Sequence, residues 1–281
     1  MKLRQALWLL PDKPYISLYY FCKFKRFCNF RNPKTFSEKM QWLQLYDRKV
    51  EYTVMVDKYE AKRYVAEMIG QEYVTPLLGV WERVEDIDFA ALPEQFVLKC
   101  THDSGGLVIC KDKHQLDTEQ AKKALNASLR CNYYRTAREW PYKDVKPKVI
   151  AEEYMENDEN EGLHDYKIWC FDGCPKYVQY ITGRNNESFE GFYDKDWVLQ
   201  SFSYHNPLMK EPVPRPAKLQ EMLALAQKLS EGLPFARVDF YILPDDSIRF
   251  GEITFYPMSG FEHWHPEKMD TIIGDMITIK K

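Results

Sequence analysis

The chain has 281 residues, of which 45% are hydrophobic, 15% aromatic and 29% charged, and its formal net charge is −3. That balance suits a globular chain burying a sizeable core in one large or two modest domains, and it gives no overall electrostatic case for nucleic acid, which calls for a basic domain or stripe. Seven scattered cysteines, with no Cys-x-x-Cys pair, read as reduced thiols of a cytoplasmic protein and not as a disulfide framework or a zinc site.

In chain order, the apolar run at residues 6–10 stops at Pro11, too short to span a bilayer and without a small-residue cleavage site. Residues 15–30 interleave aromatics with Lys23, Lys25 and Arg26, with Arg31 just beyond. This stretch has two readings: a helix packed on the domain, which is preferred, or peripheral contact with an anionic membrane face such as the inner membrane. Residues 35–50 read as a helix with Thr35 or Ser37 as cap and Met40, Leu43 and Tyr46 at helical spacing. A second helix is expected over 53–69, ending at Gly70. Residues 96–100 read as a strand, 101–106 as a polar glycine-bearing loop, and 107–110 as the returning strand. Thr118 is expected to cap a helix reaching about residue 130, followed by a strand over 149–155 and an acidic loop over 156–161. Residues 166–171 and 175–181 suggest a hairpin around Asp172-Gly173. A proline-rich link at 207–216 leads into an amphipathic helix over 218–231, stopped by Gly232. The order predicts a mixed α+β fold rich in antiparallel hairpins.

The next pair of strands carries the chemistry. Residues 237–243 and 248–254 flank a turn at 244–247; if Leu243 faces Ile248, Asp239 lies opposite Glu252 and Arg237 opposite Thr254, all on one face. Opposed carboxylates repel. A hard cation such as magnesium reverses that sign, whereas water and salt screen it in a solvated hairpin; spacing alone leaves both readings open. Upstream, Lys99 sits in an apolar strand just before Gly105-Gly106, a pattern that lets backbone N–H groups and a point charge meet phosphate. No Walker loop is present, and Lys99 and Lys58, each taken alone, read as ordinary surface lysines.

Several short motifs fall in a specific order: Asn32-Pro33-Lys34-Thr35-Phe36-Ser37-Glu38-Lys39, Val56-Asp57-Lys58-Tyr59, Phe96-Val97-Leu98-Lys99-Cys100, Arg138-Glu139-Trp140-Pro141-Tyr142, Ile150-Ala151-Glu152-Glu153-Tyr154, Arg237-Val238-Asp239 and Gly251-Glu252-Ile253-Thr254-Phe255. Over nearly the whole chain this set resembles the TupA-like ATP-grasp proteins, which are encoded with bacterial cell-surface polysaccharide genes. The resemblance implies an α+β ATP-grasp fold, with two lobes whose antiparallel sheets clasp ATP. It also implies an N-terminal helical segment at 1–50 and an ATP-grasp domain at 51–281, with a lid at about 96–150 and a metal-binding lobe at about 151–281.

On that resemblance, Lys58 and Lys99 grasp the ATP phosphates, and His102, Ser104, Gly105 and Gly106 form the mobile loop over them. Glu152, Glu153, Tyr154 and Met155 form the hinge that reads adenine, Asp165 reaches the ribose, and Lys167 meets a phosphate or acyl phosphate. Asp239 and Glu252 are the magnesium (Mg2+) carboxylates, Thr254 stands where the family usually has a ligating asparagine, and Arg237 stabilises the transferring phosphoryl group. Arg184 is a candidate for gripping a substrate carboxylate bidentately. The usual N-terminal Rossmann-like lobe is short or missing, which bears on the carboxylate-substrate site. The implied activity is carboxylate–amine ligation through an acyl phosphate, joining a uronic acid to an amino acid or amino sugar. Two alternatives stand beside it: a glycosyltransferase and a non-catalytic nucleotide-binding partner.

Overall fold

The computed structural model describes residues 7–103, 105–156, 164–182 and 188–280. The chain divides into two compact units, Lys49–Met155 and the pair of segments Met1–Arg48 and Glu156–Lys281. This differs from the expected separate N-terminal segment. The first helices pack with the C-terminal residues, and the boundary expected at 150/151 falls after Met155.

In the Lys49–Met155 unit, strands β1 (Leu77–Trp81), β2 (Phe96–Cys100), β3 (Leu107–Cys110) and β4 (Val149–Glu153) form an antiparallel sheet in the order β1-β4-β2-β3. One face carries Phe96, Leu98, Cys100, Cys110, Val149 and Ala151, which build a core with Leu125 of the helix Thr118–Leu129. That helix is capped by Asp117, whose side chain accepts from the Gln120 N–H, one residue earlier than the expected Thr118. The opposite face carries Val97, Lys99, Leu107, Ile109, Ile150 and Glu152, as the registers Val97↔Glu152, Lys99↔Ile150 and Lys99↔Leu107 require.

The expected helix over 53–69 is two helices, Glu51–Val56 and Glu60–Ile69. Asp57 makes the break: its Oδ1 accepts from the N–H groups of Tyr59 (2.9 Å) and Glu60 (3.3 Å), replacing the helical partners those donors would have had. Lys58 is thereby set outside the helix, where its own N–H donates to the Thr101 carbonyl at 3.2 Å.

In the other unit, β5 (Asp165–Phe171), β6 (Cys174–Thr182), β7 (Phe189–Tyr193), β8 (Phe235–Ile242) and β9 (Ile248–Thr254) form an antiparallel sheet in the order β7-β6-β5-β8-β9. The Asp172-Gly173 turn joins β5 and β6 as expected, with both residues at positive φ. The amphipathic helix Leu219–Leu229 packs one side of the sheet and buries Leu219, Met222, Leu225, Ala226 and Leu229.

Aromatic side chains fill part of the other side. Trp169 lies 5.5–5.7 Å from the rings of Phe36, Tyr204, Phe235 and Trp264, in tilted and edge-to-face arrangements. Phe36 opens the helix Phe36–Tyr46, which begins with a full capping box between Thr35 and Glu38. Asp270 fixes the same helix end, accepting from Ser37 N (2.8 Å) and Ser37 Oγ (2.5 Å), and Lys39 donates to the carbonyls of Gly274 and Ile277 at 2.8 Å each. These contacts are why the N-terminal helices belong with the C-terminal residues.

Candidate active site

The β8–β9 hairpin has the expected strands and an altered register. Asp246 adopts a left-handed φ of 62°. The turn therefore closes as a three-residue loop, with Asp246 N donating to Leu243 O and Leu243 N to Ser247 O, both at 2.9 Å. Ile242, not Leu243, consequently faces Ile248. Register is restored by a bulge: between the pairs Phe240↔Phe250 and Val238↔Ile253, Asp239 faces two residues, Gly251 and Glu252. Arg237↔Thr254 then holds as expected. A Cβ on Gly251 would lie 3.1 Å from the Asp239 carbonyl oxygen and 3.4 Å from the Asp239 Cβ, so glycine is what lets the bulge close on Asp239.

Five charged side chains meet on this sheet. Lys167, opposite Asp239 in the β5–β8 register, places Nζ 2.6 Å from Asp239 Oδ2 and 2.6 Å from Asp165 Oδ2. Arg237 grips Asp239 in a fork, Nε to Oδ1 and Nη2 to Oδ2 at 2.7 Å each, and the same Nη2 reaches Glu252 Oε1 at 2.8 Å. Thr254 Oγ1 donates to Glu252 Oε1 at 2.9 Å. Asp239 is 1% exposed, while the Glu252 side chain is 44% exposed. The cation that relieves the repulsion between Asp239 and Glu252 is thus the Arg237 guanidinium. Burial raises the Asp239 carboxyl, but Arg237 and Lys167 overcome it and hold the group below its ordinary value. Burial opposes charge on Arg237 in the same way, and Asp239 and Glu252 overcome it and push the guanidinium pKa up.

Among the described residues, three carboxylates (Asp165, Asp239, Glu252) and two cations (Lys167, Arg237) meet here, with Glu252 the half-exposed member. No group of three His, Cys, Asp or Glu side chains able to hold a metal ion is found among the described residues. Magnesium fits such a site on other grounds: it takes oxygen donors and is commonly held by one or two carboxylates with phosphate and water completing its shell. Glu252 and Asp239 are the residues that would hold it, in competition with Arg237 for the same oxygens. Thr254 is hydrogen-bonded to Glu252 and steadies that carboxylate.

The lowered Asp239 pKa makes an acid-stability prediction. A carboxylate whose folded pKa lies below its unfolded value, about 3.9, stabilises the fold above that value and loses the contribution as pH falls through the folded pKa. Thermal melts of the wild type and Asp239→Asn should therefore converge as pH is lowered from about 6 to about 3. Parallel curves across that range would count against the assignment.

The Lys49–Met155 unit holds a second charged cluster. Glu152, 5% exposed, lies between Lys62 Nζ at 2.7 Å and Lys99 Nζ at 2.5 Å. Burial raises its pKa, and Lys99 and Lys62 more than reverse that and lower it. Lys62 also donates to Thr75 O at 2.7 Å and has its own pKa lowered by burial. Sequence reasoning missed Lys62, because its partner Glu152 stands far along the chain. Glu152 was expected to read adenine, yet in the structure its carboxylate holds two lysines. Glu153 is exposed, Tyr154 lies under Lys111 at 5.6 Å, and Met155 Sδ accepts from Thr75 Oγ1 at 3.5 Å.

Lys58 Nζ donates to the Asp103 carbonyl, anchoring the 101–106 loop. The His102 ring is buried inward, with Nε2 3.2 Å from Ser128 O and 3.1 Å from Cys131 O. Both neighbours are carbonyl acceptors, so Nε2 carries a proton. Asp103 accepts from Ser128 Oγ and, at 3.1 Å, from Gly106 N. Gly106 is packed against Ser128 and Cys100, whereas Gly105 is open, with nothing within 4 Å of an added Cβ. The loop is therefore tethered at His102 and Asp103 and open at Gly105. Ser104 and Arg184, both expected to take part, lie outside the described residues.

A buried polar relay was also invisible in the sequence. Trp169 Nε1 donates to Gln179 Oε1 (3.1 Å), Gln179 Nε2 to Glu190 Oε2 (2.7 Å), and Glu190 Oε1 accepts from the N–H groups of Tyr204 and His205. Glu190 is fully buried, and the relay pins residues 204–205 beside the aromatic cluster.

A family model described as TupA-like ATPgrasp matches residues 38–278. Among solved structures, the chain is similar to D-alanine–D-alanine ligase from Bacillus anthracis (19% identity over 73% of this chain and 58% of that one, TM-score 0.41). It is also similar to N5-carboxyaminoimidazole synthetase from Staphylococcus aureus (16%, covering 73% and 45%, TM-score 0.42). A third similar structure is the ATP-grasp ligase PsnB in complex with a variant of its minimal precursor, Mg and ADP (10%, covering 85% and 64%, TM-score 0.46). The chain spans 45% to 64% of the length of these three proteins. Among curated proteins none matches the sequence.

Proposed function

This chain belongs to the TupA-like ATP-grasp family, and from that premise we propose that it is an ATP- and magnesium-dependent carboxylate–amine ligase. The observation that carries the reading is the cluster of Asp165, Lys167, Arg237, Asp239 and Glu252, in which Asp239 and the half-exposed Glu252 bring carboxylate oxygens to one guanidinium. Carboxylate oxygens take a hard cation such as magnesium, and a cation beside a guanidinium suits a phosphate.

In the proposed reaction a carboxylate oxygen of the acid attacks the γ-phosphorus of ATP, and the bond to ADP breaks. The acyl phosphate so formed is attacked at carbon by an amine, phosphate leaves with the acyl oxygen it received, and the amine sheds a proton. Asp239 and Glu252 would hold magnesium, which would supply charge neutralisation on the phosphates. Arg237 offers a guanidinium to the transferring phosphoryl oxygens, and Lys167 balances the buried carboxylates on either side of it. Lys58 and Lys99 bind phosphate oxygens. Leu107 and Ile109, each 52% exposed on the same face as Lys99, offer apolar surface for the base, with the backbone at 153–155 as hydrogen-bonding edge.

The proposed acid is a uronic acid and the proposed amine an amino acid or amino sugar of a cell-surface polysaccharide, on the strength of kinship. The protein incubated with ATP, magnesium and a panel of such acids and amines should yield a condensation product lighter than its two parts by one water, detected by mass spectrometry. Transfer of sugar from a nucleotide sugar without ATP would overturn the reading.

A further inference from the structure

The N-terminal helix α1 (Asp12–Phe24) has two apolar sides, and among the described residues only one of them is buried. Tyr15, Ile16 and Tyr20 are fully buried in a cluster with Phe261. On the outer side Pro14, Leu18, Phe21 and Lys25 recur at i, i+4, i+7 and i+11, which places them on one stripe. Lys25 closes the helix with a left-handed φ of 57°, and the chain returns so that Phe27 stacks on Phe21 at 4.8 Å. Phe27 is 71% exposed, Leu18 41% and Phe21 39%. At the approach to the helix Leu7 and Leu10 pack inward while Trp8 and Leu9 stay out, Leu9 at 77% exposure. No other stretch of this length collects so many of the exposed large hydrophobic side chains among the described residues.

Charge selects the partner. Between residues 7 and 37 the sequence holds Lys13, Lys23, Lys25, Arg26, Arg31 and Lys34 against a single acid, Asp12, in a chain whose net charge is −3. That acid is paired with Arg48 at 2.6 Å, while Lys23 pairs with Glu262 at 3.0 Å and Arg26 with Glu38 at 2.9 Å; Lys13, Lys25, Arg31 and Lys34 are the further exposed bases of the stretch. A face of exposed aromatic and aliphatic side chains rimmed by basic ones, on a chain otherwise acidic, matches the interface of an anionic bilayer: rings seat at headgroup depth and ammonium and guanidinium groups meet phosphates. Among the described residues no helix is long and apolar enough to cross a membrane. The contact is therefore one of lying on the surface.

We propose that α1 and the residues on either side of it dock this protein on an anionic lipid surface, through Leu18, Phe21 and Phe27 with Lys25 and Arg31. The two readings open to the sequence are thus divided between two faces of one helix. The full chain should cosediment with phosphatidylcholine vesicles containing phosphatidylglycerol roughly tenfold or more better than with phosphatidylcholine alone, and less so as salt is raised. Phe21→Ser/Phe27→Ser and, separately, Lys25→Glu/Arg31→Glu should each weaken that binding by about tenfold or more. All four side chains are exposed, and an unchanged melting temperature would verify that the variants fold. Absence of binding to anionic vesicles, or binding unaltered in both variants, overturns the proposal. Concentration-dependent dimerisation lost in Phe21→Ser/Phe27→Ser, without vesicle binding, also overturns it and assigns the face to a second copy of the chain.

Discussion

Glu252→Gln is expected to lower magnesium-dependent ATP turnover by about two orders of magnitude or more while leaving the melting temperature nearly unchanged. Exposure decides the second half of that statement. The Glu252 side chain is 44% exposed, so its pair with Arg237 lies in the range of half-solvated ion pairs, about 0–1 kcal/mol. Asp239→Asn is expected to remove turnover as well, but at a cost to the fold, because Asp239 is 1% exposed and receives Lys167 and both ends of the Arg237 fork. The cost is smaller than the roughly 3–5 kcal/mol of abandoning a buried charge. Lys167 keeps Asp165 and Arg237 keeps Glu252, which leaves the loss nearer that of charged hydrogen bonds, about 1.5–3 kcal/mol. Glu252→Gln is therefore the cleaner probe of chemistry. Full turnover in both variants would place the reaction elsewhere.

Lys99→Met is expected to weaken ATP binding by about 10–100-fold, the worth of a charge-assisted hydrogen bond to phosphate, with little change in stability. Two lysines share Glu152, and burial separates their roles. The Lys62 side chain is 12% exposed and tied also to Thr75 O; the Lys99 side chain is 27% exposed, on the face shared with Leu107 and Ile109. With Lys99 gone, Lys62 still neutralises Glu152. Lys62→Met should show the reverse pattern, with a marked loss of stability, since it strips a buried carboxylate of its better-buried partner. Nucleotide titration calorimetry beside thermal melts measures both, and equal ATP affinity in Lys99→Met and wild type would refute the assignment.

How far the sequence was legible depends on the distance over which each feature is determined. The acids and the arginine of the β8–β9 hairpin were readable because strands, turn and motif lie within a short stretch. The register within it was not, because Asp246 takes a left-handed conformation that shortens the loop, and the bulge at Gly251-Glu252 then cancels the slip near Asp239. The break at Asp57 was missed for a related reason: an aspartate side chain competing for two backbone donors leaves helical periodicity intact on either side. Lys62 and the Glu190 relay depend on pairings across the sheets and on a segment more than ten residues away, which no local pattern encodes. The joining of the first helices to the C-terminus rests on Asp270 and on the carbonyls of Gly274 and Ile277, also beyond the reach of local pattern.

The carboxylate cluster is read here as a site that transfers phosphoryl to an acid. The most direct measurement supplies the protein with ATP, magnesium, an amine and an acid labelled with heavy oxygen in its carboxylate, and weighs the phosphate released. Transfer through an acyl phosphate predicts one labelled oxygen in each phosphate formed with product. Product accompanied by unlabelled phosphate would contradict it.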